Sequence, residues 1–242
     1  MPKTIHFSID DVLPSLKYFT EHQDTFNSLW ELDFYKKLCY FHEKYGLIVT
    51  LNLFDQARGF SIDNVSNTIK NDFMKAKDWL YLSFHGRETE KEFYVSDNIH
   101  EFIKSYESVE HFSNYMQGRN LSGIARIHFF EAGKKQIEFL YKKGITTLLT
   151  ADDNRNSYGL SKEFCNEIRK KHSLLIDKIK YVHTDLRIES IKNVKNEILK
   201  IREKDEVVLF THEWCFLKNI DILEKIFENL IKKDKYIPCK YI

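Results

Sequence analysis

Short runs of consecutive apolar residues recur along the chain and alternate with segments whose apolar positions repeat every three or four residues. The runs lie at residues 5–9, 47–54, 80–84, 125–130, 146–150, 179–183 and 207–211. Several are nearly continuous in hydrophobic character, which suits parallel strands covered on both faces better than half-exposed antiparallel ones. Between them, Phe34, Leu38, Phe41 and Tyr45 mark one helix face, and Val65, Ile69, Phe73 and Ala76 another. Later faces are Ile191, Val194, Ile198 and Ile201, then Ile220, Leu223, Phe227 and Leu230. Strands alternating with helices predict βα units with right-handed crossovers. Seven in succession predict an α/β protein, an irregular seven-stranded (β/α) barrel, with an open doubly wound sheet as the alternative. The connections at 55–63 and 86–99 are long for such units and are expected to carry function.

Composition narrows this picture. The chain has 242 residues, 43% of them hydrophobic, enough for one large core, and its three prolines and eight glycines form no linker. A single barrel domain spanning 1–242 is expected. Thirty-seven Lys and Arg nearly cancel 36 Asp and Glu, so a net charge of +1 supplies no broad field for nucleic acid or an anionic membrane. The first residues contain no apolar leader followed by a cleavage site, and no apolar run reaches membrane-spanning length, so a cytosolic protein is expected. Cys39, Cys165, Cys215 and Cys239 are scattered and form no CxxC pair, which predicts reduced thiols.

The chemistry gathers where the strands end, the rim that carries reacting groups in β/α barrels. The first strand ends in Asp10-Asp11, the third in His85, the fifth near Asp152-Asp153, the sixth in His183-Thr184-Asp185 and the seventh in His212-Glu213, while the fourth carries Arg126-Ile127-His128. Taken one at a time, a paired Asp is an ordinary helix cap, a strand histidine an ordinary core residue, and Asp185, Arg187 and Glu189 a solvated alternating face. Convergence of so many on one rim points instead to a site. Two imidazoles and a carboxylate with open positions bind zinc or a similar divalent ion, which polarises a carbonyl and lowers the pKa of bound water. A second carboxylate can then act as base and a further histidine as acid. Asp10 and Asp11, as neighbours on a strand, are expected to face opposite sides and to take different roles.

The motifs resemble those of the polysaccharide deacetylases with the NodB-homology fold, carbohydrate esterase family four. Phe7-Ser8-Ile9-Asp10-Asp11 resembles the family's Thr-Phe-Asp-Asp-Gly, with Val12 in place of the glycine. Lys44-Tyr45-Gly46 before 47–50 resembles its second-strand entry, and Ser83-Phe84-His85 matches its first metal histidine. The second histidine of that motif is replaced by Thr89. Arg126 to Gly133 resembles the third motif with His128 where proline would stand, similar to YdjC-type chitooligosaccharide deacetylases, which take their second metal histidine from a later strand. Lys142 to Ile145 resembles the helix end before the next strand, and Leu209-Phe210-Thr211-His212 the closing Leu-x-x-His motif.

The resemblance implies a divalent ion on Asp11, His85 and His128, with zinc first and cobalt, nickel or magnesium as alternatives. It implies Asp10 as base, Arg126 orienting Asp10 or stabilising an oxyanion, and His212 as acid with Asp185 or Asp153 holding its ring. Trp214, Phe216 and Tyr158 are candidate faces for stacking on a sugar, or else barrel-loop packing, and Asp153, Asp185 and Glu213 are expected on the substrate side of the rim. The expected substrate is an acetylated amino sugar, as a small saccharide or a nucleotide- or lipid-linked sugar. Two rivals remain at this level: a barrel glycosidase pairing Asp11 with Glu213, and an inactive barrel that binds a carbohydrate or a protein partner.

Overall fold

The structure is a computed structural model, and it describes residues 2–240. Its strands are, in chain order, β1 (Thr4–Val12), β2 (Val49–Phe54), β3 (Gln56–Ala57), β4 (Phe60–Ser61), β5 (Leu80–Gly86), β6 (Ile124–Ala125), β7 (Thr147–Thr150), β8 (Ser173–Ile176), β9 (Ile179–His183), β10 (Leu186–Arg187), β11 (Glu206–His212) and β12 (Ile237–Pro238). Parallel pairing joins β10, β11, β1, β2 and β5 in that order, and β12 adds to the start of β1. A second sheet runs β6, β7, β9, β8, with β8 antiparallel.

The two sheets close into one irregular barrel through two seams. At the first, the Ser122 amide donates to the Leu82 carbonyl (2.8 Å) and the Ser83 hydroxyl to the Ile124 carbonyl (2.7 Å). At the second, the Asp185 amide donates to the Val208 carbonyl (2.9 Å), and β10 then pairs with β11. Seven principal strands, β1, β2, β5, β6, β7, β9 and β11, thus surround the core among the described residues, as the hydrophobic runs predict. The nearly continuous burial of β1, β2 and β11 follows from helices outside and barrel filling inside.

Most of the predicted helix faces are buried, with Ile191, Val194 and Ile220 half-buried and Ile191 lying just before its helix. Phe34, Leu38, Phe41 and Tyr45 all pack inward from the helix Asp33–Tyr45. Each such side chain, fully buried, contributes roughly 1.5–3 kcal/mol. That helix stops at Gly46, whose φ of 65° is the left-handed cap that glycine adopts without strain and whose amide returns to the His42 carbonyl. The helix His100–Gln117 does not stand out in the pattern because Ser105, Ser113 and Gln117 interrupt its buried face. The antiparallel β8 is equally faint, since it is half covered and Leu175 is exposed.

Three local expectations change. The strand predicted at 125–130 is extended only briefly, in β6; beyond it the chain makes a 3-10 turn at His128–Phe130 in which Phe129 and Phe130 both have positive φ. The long connection at 55–63 folds into the β3–β4 hairpin. The one at 86–99 contains a short helix, Glu92–Val95.

Candidate metal centre and active site

The site begins with an irregularity in β1. Its register against β2 shifts between Ile9 and Val12, and Asp11 has φ 61°. On a regular strand Asp10 and Asp11 would face opposite sides, but the left-handed residue turns Asp11 back to the rim. Both carboxylates therefore face the same site, and the expectation drawn from strand alternation fails here. Aspartate is among the residues that tolerate this backbone region.

Asp11, His85 and His128 come together on this rim. Asp11 Oδ1 is 3.1 Å from His85 Nε2 and 3.4 Å from His128 Nδ1, and the two ring nitrogens are 3.3 Å apart. These spacings match the ~3.3 Å between neighbouring ligands of a tetrahedral ion with bonds of about 2.0–2.1 Å. His85 Nδ1 donates to the Arg126 carbonyl oxygen, so a neutral His85 turns the lone pair of Nε2 toward the Asp11 carboxylate. Two acceptors facing each other at 3.1 Å are what a cation between them would satisfy. The donor set fits a divalent ion. Burial raises the Asp11 carboxyl, but its contacts with His128, His85 and His212 outweigh that and hold the group far below the usual carboxylate range. His128 is lowered, by burial first and by His85, which keeps the imidazole neutral as a metal ligand requires.

The surroundings hold these rings in place. Phe54 packs against both imidazoles, and Phe129 lies against His128 at 4.1 Å. Gly86, next to His85, must be glycine: at φ 119° a Cβ would stand 2.5 Å from the Tyr94 ring. Tyr94 in turn closes the loop by accepting from the Arg87 amide (2.9 Å) and donating to the Arg87 carbonyl.

Asp10 is buried beside this trio. Its Oδ1 accepts from Asn52 Nδ2 (2.7 Å) and Arg126 Nη1 (3.0 Å), while Oδ2 has no hydrogen-bond partner among the described residues. Arg126 is itself fully buried, donating also to Ser8 Oγ (2.6 Å) and Thr184 Oγ1 (3.2 Å) with its face on Phe210. Its hydrogen bonds go to Asp10 and the barrel wall, which makes it an orienting group for Asp10. Parallel pairing sets Asp10 directly opposite His212.

His212 Nδ1 bonds to Glu189 Oε1, and Nε2 stands 4.0 Å from Asp11 Oδ2. Burial works against protonation of this ring, but the Glu189 hydrogen bond and the nearby Asp10 and Asp11 charges prevail and raise it. Trp214 stacks on His212 at 5.3 Å and donates from Nε1 to Asp11 Oδ2 (3.2 Å), with half of its surface exposed. Together with Arg155, Arg187 and Phe130, these groups line an opening of about 220 Å³.

Several expected residues lie elsewhere. Asp185 does not hold His212: its side chain is fully buried at the second seam, accepting from the Val208 amide (2.8 Å) and from Lys204. Asp153 pairs with Arg155 on the surface (2.6 Å). Glu213 is neither in the opening nor available as a glycosidase carboxylate, because its oxygens accept from the Leu13 (3.0 Å) and Ser15 (2.5 Å) amides at the start of the helix Pro14–Glu21. Burial raises its carboxyl to about 7. Tyr158 presents no face to a ligand, being buried with its hydroxyl donating to the Leu149 carbonyl (2.8 Å), and Phe216 is buried completely. The partner of His212 that sequence reasoning missed is Glu189. Asn52 was missed too; its polarity within an apolar run was the available signal.

No family model matches the sequence, and no curated protein is significantly similar to it. Solved structures are similar along nearly its whole length. The Bc1960 peptidoglycan N-acetylglucosamine deacetylase superposes with a TM-score of 0.57 at 12% identity, covering 100% of this chain and 91% of that one. The chain has the barrel fold of the family-four carbohydrate esterases. A Streptococcus mutans esterase of that family gives 0.57 at 12% identity, covering 98% and 85%. The catalytic domain of a Eubacterium rectale peptidoglycan N-acetylglucosamine deacetylase gives 0.51 at 14%, covering 99% and 89%. Within this esterase fold, His128 stands beside His85 where the motif position at Thr89 offers no imidazole. No helix among the described residues is long and apolar enough to cross a membrane.

Proposed function

We propose that this chain, as one barrel domain over 1–242, hydrolyses the N-acetyl group of an amino sugar with the help of one divalent ion held by Asp11, His85 and His128. The observation that carries the reading is the three-donor triangle, with Nε2 of His85 fixed toward it by the Arg126 carbonyl, set between a buried carboxylate and an oriented histidine. Two imidazoles and a carboxylate suit zinc, cobalt or nickel better than magnesium. When bound, such an ion polarises the acetyl carbonyl and makes bound water more acidic.

The remaining steps belong to the chain's own residues. Asp10 takes a proton from the attacking water through Oδ2, because Arg126 and Asn52 occupy Oδ1 and fix the plane of the carboxylate. His212, charged through Glu189, delivers a proton to the departing amine. Trp214 offers its exposed face to the sugar ring while its indole N–H steadies Asp11. The opening admits an acetamido group and about one ring, below the roughly 300–1,000 Å³ of most ligand sites. A small acetylated saccharide, free or linked to a nucleotide or lipid, is therefore favoured over a cross-linked polymer.

The test is acetate release from N-acetylglucosamine and its short oligomers by protein stripped with chelator and reloaded with zinc, cobalt or nickel. Activity restored by metal supports the reading. Failure to bind any of these ions overturns it.

A further inference from the structure

We propose that the acetylated substrate carries an anionic group, a carboxylate or a phosphate ester, bound by Arg155 and Arg187 at the mouth of the opening. The inference rests on the deacetylase reading and names the chemistry of the sugar it takes.

Of the three arginines that line the opening, Arg126 is buried and committed to Asp10, Ser8 and Thr184. Arg155 holds no group of the proposed machinery, and Arg187 holds Glu189 by one nitrogen only. Arg187 donates through Nε to Glu189 (3.1 Å), and neither of its terminal nitrogens has a hydrogen-bond partner among the described residues. Glu189 is shared, since it also serves His212 and the Thr211 hydroxyl (3.0 Å). Asp152 adds a further carboxylate charge near both arginines but no hydrogen bond, so the terminal nitrogens of Arg187 remain open.

Arg155 leans its guanidinium over Phe130 (5.5 Å) and is paired with Asp153, both side chains nearly half exposed. Hydrogen bonds from Arg155 lower the Asp153 carboxyl against the opposing effect of burial, and Arg187 lines the same opening. A carboxylate thus already sits on the Arg155 guanidinium at the mouth of the opening. An exposed ion pair of this kind is weak and exchanges readily. A guanidinium fork holds an incoming carboxylate or phosphate by two parallel hydrogen bonds, and more strongly in a partly closed site. A neutral sugar supplies no charge for either arginine.

The experiment compares acetate release from N-acetylglucosamine, its 6-carboxylate, its 1-phosphate and its 6-phosphate, by wild type, Arg155→Gln and Asp153→Asn. At least one anionic sugar is expected to exceed the neutral one about tenfold or more in kcat/KM at low salt. Arg155→Gln should erase that preference, whereas Asp153→Asn, which frees Arg155, should enhance it. Which anionic sugar responds distinguishes carboxylate from phosphate. Equal rates on neutral and anionic sugars, unchanged in Arg155→Gln, would overturn the inference and leave the deacetylase reading standing. Should no sugar lose acetate, calorimetric binding of the same four compounds decides. Arg155-dependent binding of an anionic sugar then supports the anion site without the deacetylase, and its absence overturns both.

Discussion

Glu189 bonds to Nδ1 of His212, leaving Nε2 toward Asp11. The pairing raises the protonation range of His212, so the acid form persists to higher pH and is lost as pH rises through that raised value. In Glu189→Gln the ring loses that support. Turnover is expected to fall on the order of 10–100-fold, and the alkaline limb of the kcat profile should move to lower pH. A pH–rate series on both proteins checks this; an unshifted limb would remove His212 as the acid.

The bulge turns Asp11 onto the same rim as Asp10, and the proposed reading gives the two carboxylates different roles. Asp11→Asn should lose metal together with turnover. Asp10→Asn should keep metal and lose roughly 10²–10⁴ in rate. His128→Ala should behave like the Asp11 change, since its Nδ1 is 3.3 Å from His85 Nε2. Metal analysis of the three variants alongside acetate release separates the groups.

Asp185 is predicted to matter for stability alone. Its fully buried carboxylate ties β9 to β11 through the Val208 amide and Lys204. Asp185→Asn should cost about 2–4 kcal/mol in denaturant unfolding, because a buried donor pair loses its charged acceptor. The protein that remains folded should turn over at the normal rate, which a titrated active-site count will show.

His6 is buried and His183 half-buried, and both are held neutral, lowered by burial from about 6.5 to about 3 and about 4. A group whose folded value is depressed favours the unfolded chain as it charges. Stability is thus complete above about 6.5 and declines as pH falls toward 4, by on the order of 3 kcal/mol from His183. Thermal unfolding from pH 7.5 to 4.5 should show the decline, and His183→Gln should make it shallower.

The sequence by itself determined the alternation of buried strands and helices, while closure into a barrel rather than an open doubly wound sheet was left to the two seams. Seven apolar runs and the helix stripes between them dictate parallel strands buried on both faces, because that burial is a local property of each segment. It also marked Asp10, Asp11, His85, Arg126, His128 and His212, since a strand end in a β/α unit opens on one rim. What the tertiary structure decided is which of these polar groups meet. A single left-handed residue in β1 put two adjacent carboxylates on one side, against the alternation of a regular strand. The register of β10 on β11 brought Glu189, 23 positions away in sequence, beneath His212, while Asp185 and Glu213 were drawn off to a seam and a helix start. Side-chain chemistry is written residue by residue. Partnership depends on strand register, bulges and the free backbone amides of neighbouring elements, and those are set only when the barrel closes.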